Sequence, residues 1–147
     1  MQLSKNFSLD ELTHSNTAIA HNIPNIPDDT TINNLKALVE NVLQPLRDLI
    51  GPIHIDCGYR CPEVNKLVGG VPTSQHCFGQ ASDLSNGPAN NKLIYDTIIA
   101  HLPFDQVIVE GGTFEEPAWI HVSYSTTHNR KQKLSHIHGQ SGYVPIA

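Results

Sequence analysis

Hydrophobic side chains recur at three- and four-residue steps through residues 29–50: Ile32, Leu35, Leu38, Val39, Val42, Leu43, Leu46 and Leu49. That spacing gathers them on one stripe and predicts a long helix with a single buried face. Pro45 lies inside the stripe and is expected to kink or restart the helix, because it lacks an N–H and crowds the preceding turn. Gly51-Pro52 ends it. Upstream, Ser8-Leu9-Asp10-Glu11 has the form of a capping box, flanked by Phe7 and Leu12 as a hydrophobic staple. A short helix therefore starts there. Residues 21–27 read as an extended, proline-containing connector.

After residue 52 the pattern changes to alternation. Residues 53–57 read as a strand, Gly58-Tyr59-Arg60 as a turn, and Pro62 as the first turn of a short helix through about Leu67. Residues 68–74, with Gly69-Gly70 and Pro72, read as loop, and residues 80–84 as a short strand. A turn at Asn86-Gly87-Pro88 leads into a helix over residues 89–101, expected to bury Leu93, Ile94, Ile98 and Ile99. Residues 107–109 and 119–124 form a predicted hairpin around a loop holding Gly111-Gly112 and Glu115-Glu116-Pro117. The tail past Thr127 is polar, with one last strand near residues 132–136. Helices preceding a small, mostly antiparallel sheet make the expected class α+β.

No repeat, low-complexity run or linker interrupts the chain, so residues 1–147 are expected to form one domain. A chain of this size buries roughly two-thirds of its unfolded surface and needs no disulfide or metal merely to fold. Charged residues are 16%, against a usual ~25%, and the net charge is −5 with no Lys/Arg block. Nucleic acid is therefore not an expected partner. The N-terminus has no charged-then-apolar run, so no signal peptide is expected. No apolar stretch approaches the ~18–20 residues of a membrane span. Three cysteines, Cys57, Cys61 and Cys77, cannot all pair within the chain, which suggests reduced thiols in a cytoplasm. They are expected to be small buried hydrophobes rather than ligands.

Nine histidines outnumber Phe, Trp and Met taken together, which makes metal chemistry worth testing. His76 ends a glycine-rich loop, and Asp83 follows seven residues later on a short strand among Ala81 and Leu84. A loop doubling back at Gly79 brings the two side chains to one point. A half-buried carboxylate there is costly unless paired or bound to metal. Strand alternation sets Trp119, His121 and Ser123 on one face. Two histidines and one aspartate around an open fourth position describe a catalytic zinc site. By spacing alone the pattern is not specific: a lone strand histidine is often a core or surface residue, and Asp83 could simply cap a turn.

Ser74-x-His76-x-x-Gly79-x-Ala81-x-Asp83 followed by Trp119-Ile120-His121 resembles the zinc D-alanyl-D-alanine carboxypeptidase family, including its short phage and prophage peptidoglycan hydrolases. Phe7-Ser8-Leu9-Asp10-Glu11-Leu12, Gly58-Tyr59-Arg60-Cys61-Pro62, Asn65-Lys66-Leu67-Val68-Gly69-Gly70 and Phe104-Asp105-Gln106-Val107-Ile108 are similar to its small single-domain members. The resemblance covers roughly residues 3–130. It implies the D-Ala-D-Ala carboxypeptidase/hedgehog-like fold, Zn2+ as cofactor, and His76, Asp83 and His121 as its ligands. It gives Arg60 the substrate's carboxylate or carbonyl oxygen; the alternative is a structural ion pair with Asp56 or Glu63. Ser74 and Gln75 are expected in the same pocket, and Trp119 either walls it or packs as a core aromatic.

The chain departs from the better-known pattern at the general base. Many relatives place a Glu three residues, or a His two residues, before the last zinc ligand, and here those positions hold Ala118 and Trp119. Glu110 is the candidate instead, because an antiparallel register with an odd number sum sets it on the face of His121. Glu115 and Glu116 are the alternatives. The expected activity is zinc-dependent hydrolysis of peptide bonds in peptidoglycan stem peptides, by a monomer made in the cytoplasm that reaches the wall after lysis or by non-classical export. The competing reading is a zinc-binding wall-binding or phage structural module that has lost catalysis; a metal-free structural domain is a third. His136-Ile137-His138 is read as a surface pair in the tail.

Overall fold

In the computed structural model, which describes residues 1–147, the first helix starts where the capping box sets it. Ser8 Oγ accepts from the Glu11 N–H at 3.2 Å, opening α1 (Leu9–Thr13), and Leu12 is fully buried. A second short helix, α2 (Asn16–Ala20), follows, capped by Ser15. Its apolar residues are too few to show a period, and the sequence pattern passes over it. Asn25 in the connector donates to the carbonyls of Thr13 and Tyr59 and accepts from the Cys61 N–H. It thereby pins the turn carrying Arg60 to the N-terminal helices.

The long helix is continuous but changes pitch. α3 (Asp29–Leu38), capped by Asp28, passes into a π-helical turn at Val39–Leu43 and then into α4 (Gln44–Ile50). This replaces the expected kink or restart at Pro45. The widened turn lets the Gln44 N–H bond to the Val39 carbonyl, five residues back, immediately before the residue that has no N–H to give. Leu35, Leu38, Val39, Val42, Leu43 and Leu46 are fully buried, whereas Leu49 is half exposed, contrary to expectation. The extra residue in the π turn advances the face, which carries Leu49 out of the stripe.

Six strands form one sheet in the order β1-β2-β4-β3-β5-β6. They are β1 (His54–Cys57), β2 (Ala81–Ser85), β3 (Gln106–Glu110), β4 (Trp119–Ser123), β5 (Gln132–His136) and β6 (Val144–Pro145). All neighbours are antiparallel except β3 and β5, so the α+β class with a mostly antiparallel sheet holds. The β3–β4 hairpin is present, with Val107 opposite Val122 and Glu110 opposite Trp119. Between β1 and β2 lie α5 (Pro62–Leu67), as expected, and a 3-10 turn at Gln75–Phe78 that follows the expected loop.

The helix laid directly on the strands is α6 (Pro88–His101), between β2 and β3 in the chain; it touches β2, β3, β4 and α4. The helices therefore do not simply precede the sheet. α6 buries Ile94, Tyr95 and Ile98, while Leu93 and Ile99, expected inside, face outward. The inner position nearest its start belongs to a polar residue, Asn91, which donates to the carbonyls of Pro117 and Ala118 and accepts from the Asn86 N–H. That satisfies the buried amide and holds the hairpin loop. Leu84, Val107, Val109, Ile120 and Val122 point into the core beside α3, α4 and α6. Alternation then turns Asp83, Ile108, Glu110 and His121 to the opposite face, where a cleft opens. No helix is long and apolar enough to cross a membrane.

Gly79 closes the 3-10 turn in a left-handed conformation, φ 71°, and a Cβ there meets the Thr31 carbonyl oxygen on α3 at 2.6 Å. Gly79→Ala is expected to lose about 1–3 kcal/mol in urea unfolding, from strain plus collision. Gly69→Ala, equally strained at φ 80° but with open space around its Cβ, loses less.

Candidate metal centre

Strand pairing sets Asp83 directly opposite His121, and Asp83 Oδ1 lies 3.0 Å from His121 Nδ1. His76 arrives from the 3-10 turn, whose first turn is capped by Ser74 Oγ. Its Nδ1 donates to the Gly58 carbonyl at 2.7 Å, which leaves Nε2 as the ring's lone pair, 3.4 Å from the same Asp83 oxygen. The two imidazoles meet edge-on with centroids 5.1 Å apart. Burial pushes the Asp83 carboxyl up, but His76 and His121 outweigh it and hold the group well below the usual carboxylate range.

Three ligand atoms around a tetrahedral zinc, with bonds of ~2.0–2.1 Å, sit roughly 3.3 Å from one another. The Asp83 oxygen has about that spacing to both imidazole nitrogens, and the N/O donor chemistry suits zinc, but the donor atoms of His76, Asp83 and His121 do not all lie within 4.8 Å of one another. Sets of three residues whose donor atoms all lie within 4.8 Å of one another are Cys57–His76–Asp83 and Asp83–Glu110–His121, joined through Asp83. Cys57 Sγ sits 3.8 Å from His76 Nδ1, the nitrogen already committed to Gly58. Burial, reinforced by the Asp83 charge, pushes the Cys57 thiol up to about 12. All three cysteines are only partly buried, less than expected of small core hydrophobes.

Glu110 ends β3 with the odd-sum register that the hairpin required, on the face of His121. Its Oε2 accepts from Trp119 Nε1 at 2.8 Å. Burial, then the charge of Asp83, raises its carboxyl above the ordinary value. Glu115 and Glu116 are exposed in the hairpin loop and do not reach the cleft. Trp119 lines the cleft and is half-buried rather than a core aromatic.

Arg60 pairs with neither Asp56 nor Glu63; Asp56 is taken by His54 and Ser85. The guanidinium enters the cleft, where Nη2 donates to Ser74 Oγ at 3.3 Å and the buried Nε has no partner. The turn carrying it is held by the Tyr59 N–H on the Leu12 carbonyl and the Arg60 N–H on the His76 carbonyl. Gly58 has no room for a side chain, since a Cβ collides with the Leu12 carbonyl oxygen. Gln75 lines the cleft but spends its amide on Asp105 at 2.9 Å. Asp105 also accepts from the Arg130 N–H and from both ends of its guanidinium, at 2.7–2.9 Å. These charge-assisted bonds hold its carboxyl down at about 2.

The cleft encloses about 660 Å³, and its far wall comes from the tail: Arg130, Leu134, His136 and Tyr143. His136, expected on the surface without a partner, faces Glu110 with Nδ1 3.7 Å from Oε1. Alternation through residues 132–136 was its available signal, setting Leu134 and His136 on one face. Tyr143 had none.

A family model described as Peptidase M15 matches residues 5–123, well over half of the chain. No curated protein matches it.

The depressed Asp105 carboxyl makes the Asp105–Arg130 pair acid-sensitive. Its stabilisation is complete above the unfolded pKa of ~3.9 and is lost as pH falls toward about 2. Asp105→Asn is therefore expected to lower the melting temperature more at pH 7 than near pH 2.5. A difference that stays constant across that window overturns the assignment.

Proposed function

The chain belongs to the peptidase M15 family, a family of metallopeptidases, and on that premise we propose that it is a zinc-dependent hydrolase of peptide bonds in bacterial peptidoglycan stem peptides, of the D,D-carboxypeptidase or endopeptidase type. The observation that carries this reading is the single carboxylate of Asp83 set between His76 Nε2 and His121 Nδ1 at the bottom of a cleft that also receives Glu110 and Arg60. His76, Asp83 and His121 are the proposed zinc ligands. When bound, zinc acidifies a water and polarises a carbonyl oxygen.

The protein's own groups supply the rest. Glu110 takes a proton on its carboxylate and returns it to the departing amine; its raised affinity for protons suits both steps. The Trp119 indole N–H holds one carboxylate oxygen and leaves the other oxygen's lone pairs to work with. Arg60, whose guanidinium lines the cleft, binds the substrate's carboxylate or the developing oxyanion. Ser74 orients that guanidinium, and Gln75, anchored on Asp105, lines the wall next to it. The peptidoglycan substrate follows from the family resemblance and from an open, Arg-bearing cleft that admits an extended anionic peptide. The protein acts as a monomer in this reading.

A second reading, a zinc-binding wall-binding or phage structural module without activity, is motivated by Ala118 and Trp119 standing where better-known relatives carry the base. Zymography on purified cell walls with and without chelator separates the two. Under the proposal, clearing appears, vanishes with chelator and returns with added zinc. Elemental analysis gives about one zinc per chain, lost in His76→Ala and Asp83→Ala while the circular dichroism stays native. Glu110→Gln retains the metal and loses about 10²–10⁴-fold in rate. Full zinc stoichiometry in both ligand variants would sink the ligand set, and a Glu110→Gln enzyme at the parent rate would remove Glu110 as base.

A further inference from the structure

Glu110 sits in the middle of a row. Its register partner on β4 is Trp119 and its register partner on β5 is His136, so the three side chains stand abreast on the cleft face. Trp119 Nε1 holds Oε2 at 2.8 Å, and His136 Nδ1 faces Oε1 at 3.7 Å. Behind His136 the ring of Tyr143 lies 4.9 Å away, centroid to centroid, tilted by 52°. Tyr143 is itself placed by β6, whose Val144 pairs with Ser135, the residue before His136. The links among Trp119, Glu110 and His136 come from strand register, and Tyr143 stands one residue before β6.

We propose that His136 is a positioning residue for Glu110, closing on the second carboxylate oxygen so that the base is held from both sides. This rests on the reading of Glu110 as the proton acceptor. His136 lies outside residues 5–123, so the clamp is an addition made by this chain's tail to the part that the family model matches.

Magnitudes separate this role from a purely structural one. The His136 side chain is 42% exposed, and a half-exposed pair at 3.7 Å contributes little to folding. Placement matters far more to a base, since a shift of ~1 Å near reacting atoms costs on the order of 10²-fold in rate. Trp119 fixes only Oε2, about which the carboxylate remains free to pivot. His136 on Oε1 removes that pivot, and Tyr143 limits the imidazole's own swing. The ring's Nε2 makes no hydrogen bond within the protein, so the contact to Glu110 is its one polar commitment.

The protein has a single tryptophan, and its indole N–H is bonded to the group being positioned. Its emission therefore reports the Glu110 carboxylate without any turnover. In the zinc-loaded protein, His136→Ala is expected to shift the Trp119 emission and lower kcat about tenfold or more, with KM within about twofold. Zinc content and melting temperature stay at parent values. His136→Asn, whose amide N–H sits close to where Nδ1 was, restores most of the rate. Added to Glu110→Gln, His136→Ala costs nothing further, because the two act as a unit. Parent kcat and unshifted emission in His136→Ala overturn the proposal, as does a loss that adds in full to that of Glu110→Gln. A slow Glu110→Gln beside a full-speed His136→Ala removes the positioning role alone. Glu110→Gln at the parent rate removes the base reading, and the positioning role with it.

Discussion

A carboxylate shut between two imidazoles is the constraint around which this molecule is arranged. Asp83 occupies a strand position flanked by fully buried Leu84 and Ser82, where an unpaired charge is costly, and its compensation comes from His76 and His121 alone. One partner is given by strand pairing, since His121 is opposite Asp83 across the ladder. The other must be brought from outside the sheet, and most of the polar detail in the N-terminal half serves that delivery. Ser74 and Gly79 shape the 3-10 turn, the Gly58 carbonyl selects which nitrogen of His76 looks inward, and Asn25 and Leu12 hold the segment that presents that carbonyl. The apolar core lies across the sheet from the site, so the cost of the polar face is not carried by the packing of α3, α4 and α6.

The absence of a base just ahead of His121 has a geometric answer. In a hairpin, the place next to a strand residue on the same face can be filled from the same strand or from its neighbour. Here the proposed base, Glu110 on β3, stands on the face of His121 from the neighbour. Trp119 on β4 is a donor only, and its indole N–H turns toward that carboxylate. On the proposed reading the base thus comes from the neighbouring strand and is supported by its own register partner.

Much of this was legible in the chain because it rests on local rules. The capping box, the long apolar stripe, the hairpin and the α+β class all follow from periods and caps that need no tertiary information. Turn chemistry at Gly79 pointed to the meeting of His76 and Asp83, whereas the place of His121 beside them came from the family resemblance rather than from spacing. What escaped depended on long-range pairing. The π turn at Val39–Leu43 redirects Leu49 by a shift no periodicity scan anticipates. Buried Asn91 on α6 displaces the expected apolar face because its amide serves carbonyls in a loop 26–27 residues away. His136 looked like a stray surface residue because its partner belongs to a strand that precedes it by the whole hairpin.

The parallel pairing of β5 with β3 also has a cost in chain. An antiparallel hairpin joins near neighbours, but a parallel partner needs a crossover connection before it can pair. β4 covers one edge of β3 and β5 the other, and β5 carries with it the far wall of the cleft, His136 included. One whole side of the cleft is thus secured by the more expensive of the two closures around β3.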